Sequence, residues 1–338
     1  MLALFPQRLT AAIVVTAAVA VTVNAQRPAA SVPHYAAGER VLLDAHNCYN
    51  HDEIDRALGT GTPLAIEQDL VWYKDPSTGA YRSVVSHGDS DVQVAPDFEK
   101  YFFGKVKPVM EKALAENRRA DWPLITLNLD FKTNEPEHHA FVLVLLHKYE
   151  AWLTTAVRTS TPGVPAPLNI GPMLVLTGSN DQQQADFHDT VPVGEKLLLF
   201  GAINDASIPG ATPAEKAANH SVLTAETVIP VNATNYRRWA NFPWSVVEAG
   251  GQGHAGAWTA TDNARLRALV ARAHAKHLWI RFYTLNGDSG QPAGGYNFGS
   301  AAAALERWKA AIDAKTDFLA TDQYEEFARV RAAQRGTQ

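Results

Sequence analysis

The chain is poor in cysteine, with a single residue, Cys48, among 338. No internal disulfide can form, so stability has to come from packing even in an oxidising compartment. Positive charge is not in excess either. The formal net charge is -5, and without a basic patch nucleic acid is excluded as the main partner. Internal repeats and low-complexity tracts are absent. The longest apolar run, residues 11–23, falls short of the ~20 residues that a comfortable membrane span needs. With Arg8 before it and Val23-Asn24-Ala25 at its end, it reads as a secretory signal peptide over residues 1–25, the alternative being an uncleaved anchor. Secretion or a periplasmic location is expected, with residues 26–38 as a flexible leader.

What is present is a globular composition, 46% hydrophobic and 19% charged. Residues 39–333 are long enough for two average domains or one large α/β barrel. Two short apolar runs, 41–43 and 64–66, each end in polar residues: Asp44, His46 and Asn47 after the first, Glu67, Gln68 and Asp69 after the second. A strand that is apolar along its length and polar at its C-terminal end suits a buried parallel strand with chemistry at its mouth. Glu67 and Asp69 are two apart, so both carboxylates point to one face of a strand. At an effective dielectric of ~20, two like charges ~4 Å apart repel by about 4 kcal/mol, and a bound cation is the simplest remedy.

The rest of the chain alternates strands with helices. A short helix is expected at 52–58, a hairpin over 71–85 turning at 75–79, and a helix at 98–117 with an irregularity at Pro108. A strand at 124–131 is followed by a long helix over 136–157, opened by Asn134 and the proline at 136. Strands are expected at 173–177, 196–203, 241–248, 277–285 and 317–321, and helices at 262–276, 300–315 and 323–333. Residues 206–240 show no clear pattern. About eight strands with helices between most of them, and polar residues recurring at strand ends, predict a single (β/α)8 barrel rather than a doubly wound sheet.

At the C-terminal ends of the early strands sit His46, Glu67, Asp69, His87, Asp130 and Lys132. Oxygen ligands favour a hard cation, Mg2+ or Ca2+, over zinc. The two histidines are then free for proton transfer, and Lys132 could stabilise an anionic substrate.

The ordered set AHN, IEQD, VSHGD and LNLDFK resembles the PLC-like phosphodiesterase superfamily, which includes glycerophosphodiester phosphodiesterases and the sphingomyelinase D-like phospholipases. The motif RFYTLN at 281–286 is similar to the family's strand-seven motif, and Thr321-Asp322 to its final T-D. The resemblance implies a barrel holding Mg2+ or Ca2+ on Glu67, Asp69 and Asp130. It further implies that His46 and His87 act as base and acid on a phosphodiester beside Lys132, and that Asn47, Tyr283 and Asn286 contact the substrate. The partner implied is a small-molecule or lipid phosphodiester, with transient contact to a membrane surface. No protein partner is inferable.

Asn47-Cys48 stands where glycerophosphodiesterases carry arginine and glycine, and their E-N-T motif is absent. The short segment between His46 and Glu67 leans toward the sphingomyelinase D-like side, without the cysteine pairs of the venom enzymes. The HNCY string is also similar to the fungal-type altered inheritance of mitochondria protein 6 relatives. Subfamily and headgroup therefore stay open. The alternatives are an inactive barrel that binds a phosphorylated ligand or lipid, and a glycoside hydrolase using Glu67 or Asp130 as its acid. Asp44 reads as a hydrogen-bonding residue of the barrel mouth, Cys48 as a small buried side chain, His138 and His139 as structural, and 250–256 as a flexible loop.

Overall fold

The computed structural model describes residues 35–335 except 47, 49–51, 89–90, 205, 284 and 289–295. The expected signal peptide and most of the leader lie outside the described residues. Among those described, no helix is long and apolar enough to cross a membrane.

Eight parallel strands close into a barrel: β1 (Leu42–Ala45), β2 (Leu64–Lys74), β3 (Ile125–Phe131), β4 (Met173–Thr177), β5 (Phe200–Ala202), β6 (Arg237–Pro243), β7 (Trp279–Tyr283) and β8 (Phe318–Thr321). Each pairs with the next, and β8 pairs with β1. Closure leaves no unpaired edge, as expected for the (β/α)8 class. Helices α1 (Glu53–Gly59), α2 (Gly104–Glu116) and α3 (Pro136–Lys148) follow β1 to β3 in the outer ring.

Two apolar layers result from the period-two alternation of the strands. Outward residues such as Leu43, Ile66, Leu127, Leu129 and Val175 meet the helices in one buried cluster. Inward residues Leu42, Ala65, Leu174, Trp239, Trp279 and Phe318 fill the barrel in another. Continuing inward by twos toward the strand ends brings Asp44, Glu67, Asn128, Asn241 and Arg281. The barrel is thus apolar at its base and polar at its C-terminal mouth, which positions the site.

Strand β2 runs past the barrel to Lys74, turns at Asp75, whose Oδ1 accepts from the Ser77 amide at 2.8 Å, and returns antiparallel as Tyr81–Val85. This is the expected hairpin. It delivers His87 to the barrel mouth, because the Ser86 amide bonds the Asp69 carbonyl at 3.0 Å.

Several stretches differ from expectation. The helix expected over 136–157 ends at Lys148, and Thr155–Val157 joins a separate three-stranded antiparallel sheet with Leu168–Asn169 and Lys196–Leu197. Tyr149 and Trp152 are drawn onto Phe103, with ring centroids at 4.4 and 6.1 Å, and β-branched Thr154, Thr155 and Val157 favour extended backbone. The irregularity expected at Pro108 falls just ahead of α2, as a π-helical turn at Glu99–Phe103. Pro108 has no N–H for the Gly104 carbonyl. The unassigned stretch 206–240 holds two helices, Pro213–His220 and Ala225–Val228, the first opened by a Thr212/Glu215 capping box. The sixth strand begins at Arg237, not at Asn241, and ends where Pro243 withholds a donor.

His138 holds α3 to the hairpin. It stacks on Trp72 with centroids 5.1 Å apart and hydrogen-bonds Ser83 at 2.8 Å and Thr133 at 3.1 Å. Burial, with the neighbouring His139 adding to it, pushes its imidazole down to about 4. The unfolded chain then takes up the proton first, so the contribution of neutral His138 is complete above pH ~6.5 and is lost as pH falls toward ~4. The unfolding free energy read from urea titration is expected to drop across that window by on the order of 3 kcal/mol from this group, and by less in His138→Gln. An identical drop in the variant would remove His138 as the cause.

Candidate active site

His46 follows β1, and its Nδ1 lies 2.7 Å from Oδ1 of Asp322, the residue after β8. Adjacency of the first and last strands makes this pair possible. Asp322 is itself held: Asn286 Nδ2 donates to its Oδ2 at 2.7 Å, and its amide donates to Asn286 Oδ1 at 2.8 Å. The Tyr324 hydroxyl donates to the His46 carbonyl and lies 3.3 Å from Cys48 Sγ. With Nδ1 engaged by Asp322, Nε2 is the nitrogen turned toward Glu67, 3.9 Å from its Oε2. Burial alone would lower the imidazole pKa, but the Asp322 hydrogen bond and the Glu67 charge outweigh it and raise it above the ordinary value.

Glu67 and Asp69 are buried on β2, and Asp130 stands beside Asp69 in register on β3. One oxygen from each lies within 4.8 Å of the others. The repulsion expected of these carboxylates is relieved in part by the chain itself. Lys132 Nζ lies 3.1 Å from Asp69 and 2.7 Å from Asp130. Arg281, on the inward face of β7 and 1% exposed, bonds both Asp44 and Glu67 and donates to Asn241 Oδ1 at 3.0 Å. Burial would lower the Lys132 and Arg281 pKa values, but the adjoining carboxylates raise both. For Glu67, burial is the largest influence and the pKa is raised against the pull of Arg281 and His46.

Four carboxylates, Asp44, Glu67, Asp69 and Asp130, thus face two cationic side chains, which leaves two negative charges. That surplus, the all-oxygen donor set and the 4.8 Å spacing fit one hard divalent cation. Asp44, hydrogen-bonded to Arg281, has the mouth role expected of it.

These groups line one polar cavity of about 580 Å³. His46, Glu67, His87, Asp130, Lys132 and Tyr283 all border it, so most of the residues expected from the sequence converge. His87 is exposed on the loop after the hairpin. The Arg281 guanidinium lies 5.5 Å from the centre of the Tyr283 ring. Asn286 is buried, its amide is engaged by Asp322 and Thr321, and it is not among the described residues that border the cavity, an arrangement that suits positioning of Asp322 more than the substrate contact expected of it. Asn47 lies outside the described residues.

Arg281, Asp322 and Tyr296 had been given no role from the sequence. Arg281 and Asp322 sat within motifs already noticed, and Arg281 carried a further signal: it shares the inward face with Tyr283, two residues on. Tyr296 borders the cavity with no preceding pattern to mark it.

No family model and no curated protein matches the chain. Solved structures with a similar trace include a glycerophosphodiester phosphodiesterase from Parabacteroides distasonis, 10% identical with a TM-score of 0.48, covering 88% of this chain and 98% of that one. A calcium-dependent phosphoinositol-specific phospholipase C from Pseudomonas sp. is 12% identical with a TM-score of 0.43, covering 84% and 89%. The Plasmodium falciparum HPPK-DHPS, at 7% identity and a TM-score of 0.42, covers 89% of this chain and 49% of that one. Likenesses of this size, shared by proteins with different names, carry no argument about chemistry. The residues of the cavity have to carry it.

Proposed function

We propose that the chain is a divalent-cation-dependent phosphodiesterase acting on glycerophosphodiesters or phospholipid headgroups. The observation that carries the reading is the meeting, in one polar cavity, of the Glu67–Asp69–Asp130 cluster with the Asp322-oriented His46. Phosphodiester cleavage needs charge stabilisation at a nonbridging oxygen and proton transfer at the attacking and leaving oxygens.

Glu67, Asp69 and Asp130 would hold Mg2+ or Ca2+, which when bound supplies Lewis-acid stabilisation of a phosphate oxygen. His46 exchanges a proton at Nε2, with Asp322 setting its tautomer and orientation. His87, which borders the same cavity, serves the other oxygen, one histidine as base and the other as acid. Lys132 keeps a positive charge at the rim, where the phosphate charge grows. A glycoside hydrolase draws less support, because the acidic cluster is crowded within 4.8 Å and Lys132 bridges two of its members. Export would accompany this reading, marked by a mature N-terminus at Gln26.

The test is hydrolysis of bis-p-nitrophenyl phosphate and a panel of natural phosphodiesters, followed by phosphorus NMR. Excess EDTA is expected to abolish turnover, and Mg2+ or Ca2+ to restore it. Full activity in EDTA would remove the cation from the mechanism, and no turnover of any diester with either ion would overturn the assignment.

A further inference from the structure

One sector of the cavity is not used by the proposed chemistry. From β4 to β6 its lining is Gly178, Ser179, Asn180, Gln183, Ala202 and Asn241, with Asn128 of β3 beside them, and none of these carries charge. Asn128 is 3% exposed, yet its Nδ2 has no hydrogen-bond partner among the described residues. A buried donor left unpaired is costly, and in a ligand cavity it points to an acceptor brought by the ligand.

Two further amides are oriented by their partners. Asn180 Oδ1 accepts from the Gln182 amide at 2.7 Å, and Asn241 Oδ1 accepts from Arg281 at 3.0 Å. Backbone N–H and guanidinium groups only donate, so each asparagine carbonyl is fixed toward its partner and the NH2 remains for the cavity. Gln183 braces the sector, donating to Asn134 and accepting from Thr177, both at 2.7 Å.

We propose that this asparagine wall is a headgroup subsite that takes a neutral polyhydroxylated group in preference to a quaternary ammonium. The proposal rests on the phosphodiesterase reading for the position of the phosphate, not for the chemistry of the wall. Hydroxyl oxygens accept from amide NH2 groups, whereas a quaternary ammonium offers no acceptor and needs open aromatic faces. This wall has none: the exposed ring of Tyr296 borders the cavity on the His46 side, edge to face with His46 and Tyr283 at 6.3 and 6.1 Å. Phe131 is 6% exposed and packed edgewise against His138 and His139. The ring of Tyr283, on the strand paired with that of Asn241, already has the Arg281 guanidinium near it.

The experiment is calorimetric binding of myo-inositol 1-phosphate, phosphocholine and inorganic phosphate to the full chain in Mg2+ or Ca2+. The inositol ester is expected to bind at least about tenfold more tightly than phosphocholine. Asn180→Ser keeps an oxygen for the Gln182 amide but loses the NH2, and Asn128→Leu removes the unpaired donor without opening a void. Each is expected to reduce the preference about fivefold or more while inorganic phosphate binds as before. Asn128→Leu should also fold at least as stably as the parent, which separates ligand binding from a structural role. Equal binding of the two esters, preference for phosphocholine, no binding of any of the three, or an unchanged preference in both variants would overturn the subsite. The esters are not phosphodiesters, so the two readings fail separately. Discrimination without diester turnover keeps the subsite and loses the phosphodiesterase. Cleavage of all headgroups with equal kcat/KM and no discrimination does the reverse.

Discussion

Arg281→Met is expected to destabilise the barrel by about 3–5 kcal/mol, read from urea unfolding near neutral pH. The guanidinium is 1% exposed and lies between Asp44 and Glu67, themselves 1% and 6% exposed. Replacing it strands two buried carboxylates, and an unpaired buried charge costs more than the intact pair contributes. Met fills similar volume, which keeps the cavity term small. Adding Asp44→Asn to Arg281→Met should recover part of the loss, because one stranded charge goes with it. Arg281→Lys should fall between the two, since one ammonium cannot span Asp44, Glu67 and Asn241 at once. A loss below about 1 kcal/mol in Arg281→Met would mean that the carboxylates are balanced by something other than Arg281.

His46→Gln is expected to lower phosphodiester turnover by about 10²–10⁴, or roughly 3–5 kcal/mol at the transition state, with the unfolding midpoint little changed. Glutamine keeps a polar group near Asp322 but cannot exchange a proton at neutral pH. Asp322→Asn should give a smaller fall, because the imidazole remains and only its orientation and charge balance suffer. Asn286→Ala, one shell further out, should reduce kcat with KM nearly unchanged, as befits a residue that acts through Asp322. Turnover within tenfold of the parent in His46→Gln would remove His46 from the proton transfer. A dominant effect of Asn286→Ala on KM would return Asn286 to the substrate.

Some of this site was legible because its determinants are local. Apolar runs that turn polar at their C-terminal ends mark buried strands with a working mouth, and they put His46, Glu67 and Asp130 at one end of the barrel. Period two placed Glu67 with Asp69, and Asp130 with Lys132, on inward faces. The turn at Asp75–Gly79 placed His87 on the returning strand's exit. Each inference spans a few residues and uses backbone geometry that neighbours cannot easily override. Where tertiary contacts did override it, as Phe103 does by drawing Tyr149 and Trp152 out of the helix expected over 136–157, the reading failed.

The sequence by itself determined the strand faces, the acidic cluster and the two histidines. Only the tertiary structure decided what neutralises and orients them. Arg281 meets Asp44 and Glu67 across 237 and 214 residues, and Asp322 meets His46 across 276. Those pairings exist because β8 closes on β1 and β7 turns its inward face to the same mouth. No local periodicity encodes the partner of a strand that far along the chain. The same closure redirected Asn286 to Asp322, and turned a strand carboxylate pair that had pointed to a cation alone into a network already half balanced by Arg281 and Lys132.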